Sequence, residues 1–263
     1  MPSIRENPVL LAIDVGNTQT VIGLFAEEDL VAHWRISTNA ALTADELRVK
    51  VSGLLALDGR SWENVQDVIL ASVVPLLTAA WEDVARVAAG HEVMVVGPGL
   101  KTGMPILYDN PHEVGADRIV NGVAAYQRLG GPVIVVDFGT ATTLDVIDAN
   151  GAYMGGAIAP GLETSAEALF SKAARLSKVD LEPPLSVIGT NTRMSVQAGL
   201  LLGEAAKVDG LVRLTWAELG ENAPVIATGG LAERMFSLCE TIGAVDMDLT
   251  LRGLLLIHQR NRA

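Results

Sequence analysis

VDFGTATTLDV, residues 136–146, is the stretch whose reading decides the fold. A hydrophobic, β-rich run ends on Asp137, turns on Gly139 and resumes through Thr140, Thr142 and Thr143. Aspartate and glycine at a strand end are by themselves an ordinary turn signal. Here the pattern occurs twice. AIDVGNTQTVIGLF, residues 12–25, ends its run on Asp14, turns at Gly16 and continues with Asn17, Thr18 and Thr20. In both copies polar side chains stand next to backbone N–H donors, a combination that holds phosphate without a basic patch. The aspartate itself would meet phosphate through a bound Mg²⁺ or its water shell, because two negative charges repel.

Outward from the first corner, strands are expected at 9–16, 20–25 and 30–37. A helix over 43–59 follows, with Thr43 and Glu46 as a capping box and Leu47, Val51, Leu54 and Leu55 on one face. Then come a strand at 65–74, a helix at 76–90 stopped by Gly90, and a strand at 92–97. Outward from the second corner, strands are expected at 132–139, 141–149 and 152–161, then a helix at 162–176. A loop, a long helix from about 192 to 219, a strand at 224–230 ending on Gly229 and Gly230, a helix at 231–243, a short strand at 244–248 and a closing helix at 249–260 complete the chain. Asp14 and Asp137 lie 123 residues apart, a spacing that fits a duplicated α/β domain rather than a solenoid. The expected domains are 1–129 and 130–263, joined through a helix at 112–130. Two such domains normally meet over a cleft where ligands bind.

Composition narrows the partners. The formal net charge is −12, which argues against a nucleic-acid groove, since backbone binding needs clustered Lys and Arg. Cys239 is the single cysteine, so no internal disulfide is expected, and His33, His91, His112 and His258 are too scattered for a zinc site. The N-terminal stretch reaches Asp14 too soon for a secretory signal, and the longest apolar run, 68–81, is short and contains Pro75. A soluble protein of the cytoplasm, without membrane or nucleic-acid partners, is the expectation.

YDNPHEVGADRIVNG, residues 108–122, carries further chemistry. A glycine at Gly115 beside Ala116, Asp117 and Arg118 suggests a close ligand or backbone. Asp117 is a candidate acceptor of a hydroxyl proton and Arg118 a candidate anchor for phosphoryl or carboxylate oxygens, although a solvent-facing Asp-Arg pair reads the same way. Glu163 and Glu167 read as an exposed helix face; Trp34, Trp62, Trp81 and Trp216 as core or interface anchors; and Lys172, Arg175 and Lys178 as a helix C-terminal preference. GPGLKT, 97–102, fits neither GxxxxGK[ST] nor GxGxxG and reads as a loop.

DVGNTQT (14–20), YDNPHEVGADR (108–118), DFGTATT (137–143), GGAIAPG (155–161), GTNT (189–192) and ATGG (227–230) occur in this order along the chain, and together they resemble the type III pantothenate kinases. That resemblance implies the acetate and sugar kinase/Hsp70/actin superfamily: duplicated ribonuclease-H-like, actin-like ATPase domains with an interdomain nucleotide cleft. It implies ATP-dependent phosphorylation of pantothenate to 4′-phosphopantothenate, the first step of coenzyme A synthesis, by a homodimer that uses Mg²⁺ and a monovalent cation, K⁺ or NH₄⁺. On the matching positions, Asp14, Val15, Gly16, Asn17, Thr18, Gln19, Thr20 and Val21 resemble the first phosphate motif. Asp117 resembles the proton acceptor, and Gly115, Ala116 and Arg118 the rest of the pantothenate-binding segment. Tyr108 and Thr192 resemble further pantothenate contacts, the latter at or near the dimer interface. Asp137 resembles the monovalent-cation ligand, Thr140 an ATP contact, and Gly229 and Gly230 the adenosine motif. The chain departs from the family at Thr190, where lysine is common, and at Ser177, where proline is. A kinase of the same fold acting on a sugar or carboxylate, or a nucleotide-dependent regulator, would share the two corners.

Overall fold

The computed structural model describes residues 8–173 and 179–262. The end of the helix expected at 162–176, and Arg175, Ser177 and Lys178, lie outside the described residues. The chain divides into two compact units. One comprises 1–104, 109–124 and 250–263, the other 105–108 and 125–249. This division differs from a single cut at 129/130 in three places: residues 105–108 fall in the second unit, the expected connecting helix is shared, and the last helix returns to the first unit.

In the first unit, β1 (Val9–Val15), β2 (Gln19–Ala26) and β3 (Asp29–Ser37) form an antiparallel meander. α1 (Ala44–Leu57) leads to β4 (Val65–Ser72), which pairs parallel to β1, and α2 (Pro75–Val84) leads to β5 (Val93–Val95), parallel to β4. The sheet order is β3-β2-β1-β4-β5. β1 is central and therefore apolar on both faces. Its Val9, Leu11, Ile13 and Val15 share a core with Leu47, Val51 and Leu55 of α1 and with Leu77, Trp81 and Val84 of α2. The capping box forms as its residues predict: the Glu46 N–H donates to the Thr43 hydroxyl and the Thr43 N–H to the Glu46 carboxylate. Beyond α2 a π turn, Ala85–Ala89, ends on left-handed Gly90.

α3 (Ala116–Leu129) starts later than the helix expected from 112, because Pro111–Glu113 forms a separate 3-10 turn capped by Asn110. In the second unit β6 (Val133–Phe138), β7 (Ala141–Ile147) and β8 (Tyr153–Pro160) repeat the antiparallel meander. After α4 (Leu162–Lys172), α5 (Thr192–Gln197) and α6 (Gly203–Leu219) run on through a π turn, Ala198–Leu202. β9 (Val225–Thr228) is parallel to β6, and α7 (Ala232–Phe236) leads to β10 (Ala244–Val245), parallel to β9. The order β8-β7-β6-β9-β10 is the first sheet's order over again. The ribonuclease-H-like unit is thus present twice. α8 (Leu249–Arg262) closes the chain.

α7 stops well short of the helix expected over 231–243. Buried Asp209 on α6 accepts the backbone N–H groups of Glu240 and Thr241 and the Thr241 hydroxyl, which holds this backbone outside a helix. Within the apolar stretch 197–216, Leu201, Ala205, Val208 and Val212 are buried in the core of their own unit. Among the described residues no helix is long and apolar enough to cross a membrane.

Candidate functional site

The first corner sits where β1 ends. Asp14 and Val15 still pair with Val21 and Thr20 of β2, and the Gly16 N–H closes the turn on the Gln19 carbonyl at 3.0 Å. A Cβ on Gly16 would stand 3.0 Å from that same oxygen, so the turn is tight against its own backbone. Asn17, Thr18 and Gln19 are exposed at its tip, whereas Thr20 is buried, its hydroxyl 2.8 Å from that of Thr38. The Thr18 carbonyl accepts the Thr38 N–H at 2.9 Å, tying the tip to the end of β3.

GADR meets this corner within the same unit. Val15 and Ser72 are register partners on parallel strands, and the Val73 N–H donates to the Val15 carbonyl at 3.0 Å. A Cβ on Gly115 would lie 3.7 Å from the Val73 side chain and 2.5 Å from Asp117 Oδ1. The start of α3 therefore lies at the carboxyl ends of β1 and β4, where ligands of open α/β sheets bind. Asp117 occupies the first helical turn, where the N-terminal dipole favours a carboxylate, and its Oδ1 accepts the Arg118 N–H at 2.8 Å. Asp117 is half-buried and Arg118 buried. The alternative of a solvent-facing pair is thereby set aside for Arg118.

The second corner has the same placement in the second unit. Asp137 pairs with Thr143 of β7 and with Thr228 of β9, so its carboxylate stands at the carboxyl ends of β6 and β9. Gly229 is left-handed, at φ 91°, and a Cβ there would overlap Asp137 Oδ1 and the Phe138 backbone. No atom lies within 4 Å of where a Gly230 Cβ would be, so the backbone is bare there. The Thr140 carbonyl accepts both the Gly161 N–H at 3.1 Å and the Thr164 hydroxyl at 2.7 Å, which brings APG, residues 159–161, onto the corner. Behind it Thr142 donates to buried Glu204 at 2.6 Å, and Lys207 bridges Glu204 and the Pro160 carbonyl.

The remaining candidates, Tyr108 and Thr192, both lie in the second unit. Tyr108 belongs to the second unit and Gly115–Arg118 to the first, although one motif carries both. Thr192, exposed at the start of α5, lines an open groove of about 710 Å³ with Gly189, Thr190, Asn191 and Leu169. Sequence reasoning missed Thr164, Glu204 and Lys207, which brace the second corner, and Asp145, which is buried beneath it. The signal available for Asp145 was a carboxylate inside the apolar strand TLDVI. Burial pushes the Cys239 thiol up to about 12, which makes it inert at neutral pH.

Two ribonuclease-H-like units, each with an aspartate-glycine corner at the ends of its parallel strands, define the acetate and sugar kinase/Hsp70/actin fold. A ROK family protein from Streptococcus pneumoniae has a similar fold, with a TM-score of 0.52 at 12% identity, over 97% of this chain and 99% of that one. A family model described as type III pantothenate kinase matches residues 10–214. Type III pantothenate kinases of Moorella thermoacetica and Syntrophotalea carbinolica are 49% and 50% identical to this chain, over 96% and 97% of it and the whole of each relative. This chain belongs to the type III pantothenate kinase family.

Proposed function

We propose that this chain transfers the γ-phosphoryl group of ATP to the primary hydroxyl of pantothenate, giving 4′-phosphopantothenate and ADP at the entry to coenzyme A synthesis. The observation that carries this reading is the meeting, within one unit, of the phosphate corner Asp14–Val21 and the acid-bearing helix start Gly115–Arg118 at the ends of β1 and β4. A phosphate-holding turn and a carboxylate fixed beside it are what alcohol phosphorylation requires.

In this reading, the hydroxyl oxygen of pantothenate attacks the γ-phosphorus in line as the bond to the ADP oxygen breaks. Asp117 orients the hydroxyl and takes its proton late, once phosphoryl transfer has made it acidic. Arg118 stays protonated and anchors the substrate. Tyr108 and Thr192 make the further pantothenate contacts, Thr192 at or near the interface of a homodimer. Thr140 contacts ATP, and Gly229 and Gly230 leave bare backbone for adenosine. The oxygen-rich corners suit hard cations. Asp14 lies where Mg²⁺–ATP would be held, and Asp137, kept clear of any side chain at Gly229, where K⁺ or NH₄⁺ would be. Bound there, these ions offset charge on the transferring phosphoryl group. The cytoplasm, where ATP and K⁺ are plentiful, is the proposed compartment.

The test is ADP release in Mg²⁺ and K⁺ with pantothenate, sugars and small carboxylates offered separately. Turnover confined to pantothenate is expected. Turnover with a sugar alone, or none with any acceptor, would refute the reading.

A further inference from the structure

We propose that Asp145 is a positioning residue for the substrate side of the site, setting the place of Tyr108 through Tyr153. The inference rests on the reading of Tyr108 as a pantothenate contact. Asp145 lies in the middle of β7 with no exposed surface, and Tyr153 is equally buried. A carboxylate at such depth is costly unless its oxygens accept hydrogen bonds. Its Oδ1 accepts the Tyr153 hydroxyl at 2.8 Å, and its Oδ2 accepts the Thr143 hydroxyl at 2.9 Å. Thr143 is the register partner of Asp137, so the same carboxylate is tied to the second corner.

From Tyr153 the connection runs to Tyr108 by backbone and by ring. The Tyr153 N–H donates to the Pro105 carbonyl and the Leu107 N–H to the Tyr153 carbonyl, both at 2.8 Å. The two tyrosine rings meet at a centroid distance of 6.2 Å and 51°, a tilted contact typical of aromatic pairs. Register on β8 shifts here, with Gly155 opposite Val146 and Tyr153 opposite Ile147, a bulge at Met154. Gly155 takes φ 129°, and a Cβ there would be 3.5 Å from the Tyr108 ring. The bulge thus turns a bare stretch of β8 towards Tyr108 while Asp145 pins the tyrosine beside it. An apolar residue at 145 would fill the strand equally well; only a double acceptor fixes both hydroxyls.

Tyr153→Phe, which keeps the ring and removes its donor, and Asp145→Asn, which alters the acceptor, are made alone and combined with Tyr108→Ala. Pantothenate KM and kcat, ATP affinity by direct titration and exchange of the Leu107 amide are then measured. Tyr153→Phe is expected to raise pantothenate KM roughly 3- to 10-fold, to leave ATP affinity within about twofold, and to add little once Tyr108 is alanine. Faster Leu107 exchange is expected in both single variants, a readout independent of substrate. An unchanged KM, or an equal increase in the Tyr108→Ala background, overturns the inference while leaving the pantothenate reading intact. Absence of wild-type turnover with pantothenate defeats that reading and this inference with it.

Discussion

Asp117 is held at the first turn of α3 by the Arg118 N–H, and Gly115 leaves the space its Oδ1 fills. General-base assistance contributes about 10²–10⁴-fold in rate. Asp117→Asn keeps the shape and removes the proposed base, so kcat should fall by roughly 10²-fold or more while ATP still binds. Steady-state kinetics at saturating pantothenate checks this, and a near-normal kcat would mean that another group takes the proton. Gly115→Ala tests the positioning. The added methyl would stand 2.5 Å from Asp117 Oδ1, the movable end of a side chain, so the carboxylate must rotate and the backbone need not. Thermal unfolding should change little while kcat drops about 10-fold or more, as a small misplacement at a reacting group allows. Equal losses of stability and rate would argue for a purely structural glycine.

At the scale of elements, two glycines in helices make opposite predictions. Gly253 on α8 lies against α3, where a Cβ would overlap the Val120 carbonyl; the Thr250 hydroxyl donates to Asn121 at 2.7 Å in the same crossing. Backbone cannot swing aside, so Gly253→Ala should cost about 1–3 kcal/mol as overpacking, more than the helix propensity it gains. Gly210 on α6 has no atom within 4 Å of the Cβ position, so Gly210→Ala should stabilise by up to about 1 kcal/mol. Urea melts of the two variants decide both. The Asp209 cap adds a pH dependence. Burial opposes ionisation of its carboxyl, but the Glu240 and Thr241 donors, and Arg213 nearby, outweigh that and hold it below the ordinary carboxylate range. A depressed folded pKa stabilises above the unfolded value, near ~3.9, and the contribution is lost as pH falls through the folded one. Melts of the wild type should weaken on acidification below about pH 4, and Asp209→Asn should flatten that part of the dependence. These cases also mark what the sequence makes legible. Both corners, the Thr43–Glu46 box and the paired meanders show in local patterns of apolar runs, caps and turns. The short α7 and the return of α8 do not, because each depends on a contact between residues far apart in the chain: Asp209 with Thr241, and Gly253 with Val120. Gly115–Arg118 stands out in the sequence as a glycine beside an acid and an arginine, but its place at the start of α3 and its nearness to Val15 depend on the Pro111–Glu113 turn and the parallel pairing of β1 with β4. Asp145 shows as a carboxylate inside an apolar strand, but strand alternation gives no hint of which hydroxyls it will meet.

For the whole molecule, duplication explains why two similar corners carry different glycine neighbours. The first unit sets a tight Gly16 turn beside an acid-bearing helix; the second sets Asp137 against the bare backbone of Gly229. In the proposed reaction the first unit would serve the transferring phosphate and the acceptor hydroxyl, and the second the cation and the nucleoside. Pantothenate phosphorylation is read most directly by identifying the products by mass after incubation of the purified chain with ATP, Mg²⁺, K⁺ and pantothenate. 4′-Phosphopantothenate in amounts equal to the ADP released is expected. ADP without phosphorylated pantothenate, or neither product, would contradict the proposed reaction.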